Sequence, residues 1–168
     1  MTFDGKGGKM HNAATLADKI GMKKINNILM SPIIGRTIYL LHFRRKHADF
    51  ITKFYKDKDF IRLYNMYSNS NVGYDSVYKA LKKEEENKPS ISKSISWVIT
   101  KNNNLEIGVI SLVDIDIKNK KSEIIIGIPN ALYRRGNAAV QAMLLIMNFA
   151  FTKLNLNKIT SLVYDYNK

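Results

Sequence analysis

Between Ser122 and Lys153 the sequence runs from an apolar stretch through a basic, glycine-bearing loop into a second apolar segment. The first stretch, Glu123-Ile124-Ile125-Ile126-Gly127-Ile128, is apolar at consecutive positions, as a strand buried on both faces of a sheet requires. Pro129-Asn130-Ala131-Leu132 then forms a turn, followed by the loop Tyr133-Arg134-Arg135-Gly136-Asn137-Ala138-Ala139. Val140 to Leu154 is expected to be a helix. A strand, a loop with glycine and a helix N-terminus in this order make a place where an anion can bind. The free N–H groups of a helix's first turn point outward, and the helix dipole favours negative charge there. Gly136 would let a ligand approach the backbone, and Arg134 and Arg135 would supply charge-assisted donors. The competing reading is a plain strand-to-helix connection.

Other classes are excluded by what the chain lacks. The sequence of 168 residues has no cysteine, so disulfide frameworks and thiolate metal sites are out. His11, His42 and His47 show no metal-ligand spacing with nearby carboxylates. No apolar run reaches the ~18 residues of a membrane span, and the N-terminus lacks a signal-peptide core. A cytoplasmic protein without membrane contact is expected. The net charge of +13 invites a nucleic-acid reading. Its distribution argues against a dedicated one: residues 1–60 hold 12 Lys/Arg against 5 Asp/Glu, and residues 61–168 hold 15 against 9. A preference for anionic small molecules fits better.

Along the chain, residues 1–32 read as a partly mobile extension with a helix from Ala13 to about Met30, and 33–168 as one domain. Thr37–Phe43 is a predicted strand. A helix starting near His47 buries Ala48, Phe50, Ile51, Phe54 and Tyr55, with His47 itself a surface residue at the helix start. A second helix covers Asp59–Tyr67, capped by Asp59. Residues 68–73 form a loop, Tyr74–Glu86 an exposed helix ending in a solvated charged run, and residues 87–94 a linker. Ile95–Lys101, Leu105–Asp116 and Ser122–Ile128 form an antiparallel meander. In the first of these, Trp97 and Ile99 share a face, and Trp97 reads as core. In the second, strict alternation puts Ile107, Val109, Val113 and Ile115 on one face and Ile110 and Leu112 on the other. A last strand spans Lys158–Tyr164.

Five stretches recur together at a familiar spacing: Leu105–Ile110 with Val113–Ile115, Ser122–Ile124, Tyr133–Ala139, Asn148–Ile159 and Val163–Asn167. Together with the element order they resemble the GNAT superfamily of acyl-CoA N-acetyltransferases. The similarity is to the branch of ribosomal-protein-alanine and nucleotide-amino-sugar acetyltransferases. The fold class implied is α+β, a mixed, mostly antiparallel sheet flanked by helices, with the family's C-terminal helix and strands missing.

The resemblance implies acetyl-CoA as co-substrate. The family's loop, Gln/Arg-x-x-Gly-x-Gly/Ala, aligns with Tyr133-Arg134-Arg135-Gly136-Asn137-Ala138; a shift of one residue gives Arg134-x-x-Asn137-x-Ala139. Backbone N–H groups from about Arg135 to Val140, including Ala139, would cradle the pyrophosphate. Ile125, Ile126, Gly127 and Ile128 would pair with the pantetheine arm, and Asn167 would touch it. Glu123 would be the general base, or else a structural carboxylate capping the hairpin. The acceptor implied is a small amine or amino sugar, with a protein N-terminus next. Two alternatives stay open, a CoA-binding module without turnover and a basic nucleic-acid-associated protein. The missing C-terminal part carries the expectation of self-association and low turnover.

Overall fold

The computed structural model describes residues 31–63, 72–86, 94–101 and 105–163. The expected helix within 13–30, the loop at 68–71, the linker at 87–93, Tyr164 and Asn167 lie outside these residues. Six strands form one sheet in sequence order: β1 (Ile33–Ile34), β2 (Ile38–His42), β3 (Ile95–Lys101), β4 (Leu105–Asp116), β5 (Lys121–Gly127) and β6 (Lys158–Thr160). Every neighbouring pair is antiparallel except β5 and β6, which are parallel. The helices are α1 (Ala48–Phe54), α2 (Lys58–Leu63), α3 (Tyr74–Glu86), α4 (Ala131–Arg134) and α5 (Ala138–Thr152), and Arg45–His47 forms a 3-10 turn before α1. β3, β4 and α3 match their expected bounds. α5 begins at Ala138, two residues earlier than expected, and part of the expected loop is the short helix α4. The last strand ends at Thr160 instead of continuing towards Tyr164.

Each face of the sheet has its own layer. On one, α5 lays Ala142, Ile146, Phe149 and Ala150 against Ile38, Leu40, Trp97, Ile99, Ile110, Leu112 and Ile124. The alanines recur at helical spacing and let the helix lie close to the sheet. Trp97 is fully buried there, edge-on to Phe149 with ring centroids 5.4 Å apart, so it is core as expected. Gln141 fastens α5 to the start of β2: its Oε1 accepts from the Thr37 N–H at 3.2 Å and its Nε2 donates to Thr37 Oγ1 at 2.9 Å.

On the other face, Phe43, Ala48, Ile51, Phe54, Phe60 and Leu81 pack on Val98 and Val109. The helix at 74–86 is therefore not wholly exposed, because Leu81 is buried and Val77 and Tyr78 join this layer. Its charged end is also tied down. Glu85 accepts from the backbone N–H of Arg45 at 2.9 Å and pairs with the Arg45 guanidinium at 2.8 Å. The cap of α2 is Asp57, whose carboxylate accepts from the Phe60 N–H at 2.7 Å; Asp59, expected in that role, lies inside the helix.

Strict alternation fails in β4, where two bulges break it. Ile99 pairs with Gly108 and Thr100 with Glu106, so Ile107 is an extra residue. A regular ladder would set Ile107 opposite Thr100. The bulge instead sends Ile107 into the α5 layer and turns Glu106 towards α1. The second shift lies between Val113 and Asp116, where Asp114 takes φ 48° and Ile115 joins the α5 layer. The expected set of Ile107, Val109, Val113 and Ile115 on one face is thus corrected: Ile107 and Ile115 side with Ile110 and Leu112.

Candidate functional site

Losing those two isoleucines thins the α1–α2 side of β4, and a cavity of about 410 Å³ opens over it. Its floor is Ser96, Val109, Ser111, Val113, Ile125 and Gly127; Phe54, Tyr55 and Phe60 wall it, and Ser94 lies at the start of β3. This volume falls in the usual range for small-ligand sites. Gly127 is what lets the aromatic wall come so near the sheet. A Cβ there would stand 2.4 Å from Phe60 and 2.8 Å from Phe54. The Phe54 and Phe60 rings are themselves 4.0 Å apart. Burial raises the pKa of Tyr55, so its phenol stays protonated.

One floor feature is polar. Ser96 and Ser111 sit opposite each other on β3 and β4, and their hydroxyl oxygens are 2.8 Å apart. Ser111 in turn faces Ile125 on β5, and Val113 faces Glu123. Directly opposed residues share a face of the sheet. The Glu123 side chain therefore stands on the cavity's face, half-buried, one pair beyond Ser111. The hairpin is capped by a different carboxylate. Asp116 accepts from the Asn119 N–H at 2.9 Å and from Asn119 Nδ2 at 2.7 Å, bonds that lower its pKa. Turn-capping, the alternative role for Glu123, belongs to Asp116.

β5 links this cavity to a second surface. β5 and β6 pair only from Lys121 to Glu123, so among the described residues no strand continues alongside Ile124–Gly127 on that edge. Residues 161–163 have no regular structure, and Leu162 and Val163 are exposed. Alternate N–H and C=O groups of that edge are left to meet an added strand-like partner. Past its end lie α4 and the start of α5. Asn130 caps α4 by accepting from the Leu132 N–H at 2.9 Å. Asn137, the N-cap of α5, makes no side-chain cap bond, which leaves the first-turn N–H groups of Ala138, Ala139 and Val140 for another acceptor. At Gly136 an added Cβ would meet nothing within 4 Å among the described residues, so their packing gives no reason for a glycine there.

The two arginines have different roles. Arg134 Nε donates to the Ile128 carbonyl at 2.9 Å, and its Nη2 makes a short bond to the Pro129 carbonyl. That side chain holds the turn out of β5. Arg135 is exposed at the C-cap of α4. Lys101 adds positive charge 5.6 Å from the centre of the Tyr133 ring.

His47 is corrected from surface to core. It is 3% exposed, and its Nδ1 lies 2.5 Å from a Glu106 carboxylate oxygen. Burial outweighs the carboxylate and lowers its pKa. Its Nε2 is buried without a hydrogen-bond partner among the described residues, so the neutral ring donating Nδ1–H to Glu106 is the form that fits. The sequence signal for this pair was Gly108, since a glycine inside a strand often marks a bulge.

A protein-family model described as Acetyltransferase (GNAT) domain matches residues 37–168. Among curated proteins none matches. Among solved structures the chain is similar to spermidine N-acetyltransferase from Vibrio cholerae in complex with CoA and spermine. The TM-score is 0.67 at 18% identity, over 78% of this chain and 73% of that one. A probable acetyltransferase gives 0.62 at 16% identity, over 79% and 73%. A dodecameric spermidine N-acetyltransferase from Vibrio cholerae in an intermediate state gives 0.58 at 18% identity, over 78% and 72%.

Proposed function

Because the chain belongs to the GNAT acetyltransferase family, we propose that it transfers acetyl to a small primary amine held in the cavity between β4 and α1–α2. The donor is acetyl-CoA. The observation that carries the reading is that Ile125 and Gly127 belong both to the cavity floor and to the unpaired edge of β5. A donor on that edge and an acceptor in the cavity would meet across one strand.

The groups present fit acetyl-CoA. The edge from Ile125 to Ile128 would take the pantetheine arm, and the first turn of α5 from Asn137 through Ala139 would take the pyrophosphate. Gly136 leaves room for it, and Arg135 adds charge. Arg134 acts indirectly, by fixing the Ile128–Pro129 turn. When bound, acetyl-CoA supplies an activated thioester. A backbone N–H of β5 would hold the carbonyl oxygen as charge develops on it. The amine must be neutral to attack, and Glu123 is the carboxylate on the cavity's face that can accept its proton, directly or through water.

For the acceptor, the overall charge of +13 favours an anionic molecule carrying an amine, such as a nucleotide-linked amino sugar, over a protein N-terminus. This agrees with the branch that the sequence resembles. A polycation like the ligand of the spermidine enzyme fits less well, since the lining is serine and apolar side chains and Glu123 beside it can meet one charge, not several.

The test uses two substitutions. Gly136→Val puts a branched side chain into space the protein does not use, so folding should hold while acetyl-CoA affinity falls at least ~10-fold, about 1.4 kcal/mol. Arg134→Ala should shift affinity less and lower the thermal midpoint, because it frees two carbonyls. Equal and small effects on calorimetric affinity would remove this loop from the donor site.

A further inference from the structure

The cavity floor carries a feature that acetyl transfer by itself does not require, the hydroxyl pair of Ser96 and Ser111 at 2.8 Å. We propose that this pair is the docking point for the acceptor's amine, and that the uncharged cavity around it admits an amine on a compact neutral body and rejects a polycation. The inference rests on the acetyltransferase reading and names the acceptor class of that same site.

The chemistry runs as follows. When two hydroxyls bond to each other, one hydrogen lies between them, leaving one hydrogen and several lone pairs for a ligand. An amine's N–H groups can donate to those oxygens, which leaves its own lone pair free for attack. Ser111 is the member of the pair directly opposite Ile125 on β5, so an amine seated there stands beside the strand whose other edge is open. The position is polar within a mainly apolar lining. Val109, Val113 and Ile125 flank it, and the aromatic rings close above.

Such a site selects by charge. An ammonium ion entering it loses water among serine and apolar side chains, so its pKa falls, and Glu123 on the same face of the sheet can take the proton released. For a monoamine this desolvation assists the deprotonation that Glu123 would complete. A polyamine must strip or bury further charges, a cost that the single carboxylate of Glu123 offsets only in part. A compact body with an apolar face, such as a sugar ring or a small aromatic, instead gains contact with Phe54, Tyr55 and Phe60. An anionic extension would remain outside the cavity, in solvent.

Acetyl-CoA binding is measured first by calorimetry, followed by CoA release with glucosamine, 2-phenylethylamine and spermidine as acceptors. At least one of the two monoamines should exceed spermidine in kcat/KM by ~10-fold or more. Ser111→Ala should lower kcat/KM for the better monoamine by ~3–10-fold, the worth of one hydrogen bond, with acetyl-CoA affinity unchanged and only a small fall in thermal midpoint from the lost bond to Ser96. Ser111→Thr, which restores a hydroxyl, should recover most of the loss, and Ser96→Ala should resemble Ser111→Ala. Spermidine as the preferred acceptor, or full activity in both alanine variants, overturns this inference and leaves the acetyltransferase reading standing. Failure to bind acetyl-CoA overturns both.

Discussion

The two faces of the sheet are built to different standards. Against α5 the packing is mainly apolar, with Trp97, Ile99, Ile110 and Leu112 wholly buried and buried His42 edge-on to Trp97. Against α1 and α2 the sheet carries a cavity, a serine pair and a buried histidine–carboxylate pair. Tight packing fixes a structure cheaply, whereas polar groups and empty volume cost stability and are kept where a ligand can use them. The comparison implies that stability resides mainly on one face and acceptor chemistry on the other.

The largest effect should come from the packed face. Trp97→Ala should destabilise by ~3–5 kcal/mol in chemical denaturation, as expected for a large aromatic deleted from a core. A loss under ~1 kcal/mol would remove the contrast between the faces. Next is Gly127→Ala. Its methyl group collides with Phe60 and Phe54, so ~1–3 kcal/mol of stability should go, and the aromatic wall must move off the cavity floor. Acceptor KM should rise more than acetyl-CoA affinity falls; the reverse order would place the cavity on the donor side.

Each face holds one buried histidine, His42 beside Trp97 and His47 beside Glu106, and together they give a pH test. His42 and His47 both have pKa values lowered from 6.5, chiefly by burial. The unfolded chain therefore binds their protons first as pH falls. Their contribution to stability is complete above pH 6.5 and is lost as pH drops from 6.5 through the lowered values. Each contributes a slope of at most ~1.4 kcal/mol per pH unit. Thermal midpoints of His47→Gln should fall less steeply across that window than those of the parent. Parallel curves would show that His47 does not titrate on unfolding. The smallest effect expected is that of Arg135→Ala, a few-fold loss of acetyl-CoA affinity that shrinks with added salt, as an exposed charge should.

Much of this was legible in the sequence because it is local. The bounds of β3 and β4 follow from turn residues and β-branched runs, and the glycine and small residues of 136–139 mark the start of α5. What was not legible depends on partners distant in the chain. His47 has the composition of a helix start, and only the pairing of β3 with β4 brings Glu106 to it. The cavity is likewise a product of three strands and two helices, and neither Ser96 nor Ser111 carries a local signal. Asp114 is a similar case: its left-handed backbone is common for Asp, yet nothing nearby announces that the strand would need it.

The two irregularities in β4 act like a pair of compensating frameshifts. Counting outward from either end of the strand, odd-numbered residues face α5; between the bulges the frame is reversed, and odd-numbered Val109, Ser111 and Val113 face the cavity. Losing one extra residue would throw everything beyond it out of frame. Restoring a regular ladder throughout would change only the middle passage, bringing Ile110 and Leu112 over the cavity and burying Ser111 beneath α5. Within one unchanged stretch of sequence, the placement of two single-residue insertions separates a sheet with a binding cavity from a sheet that is packed solid.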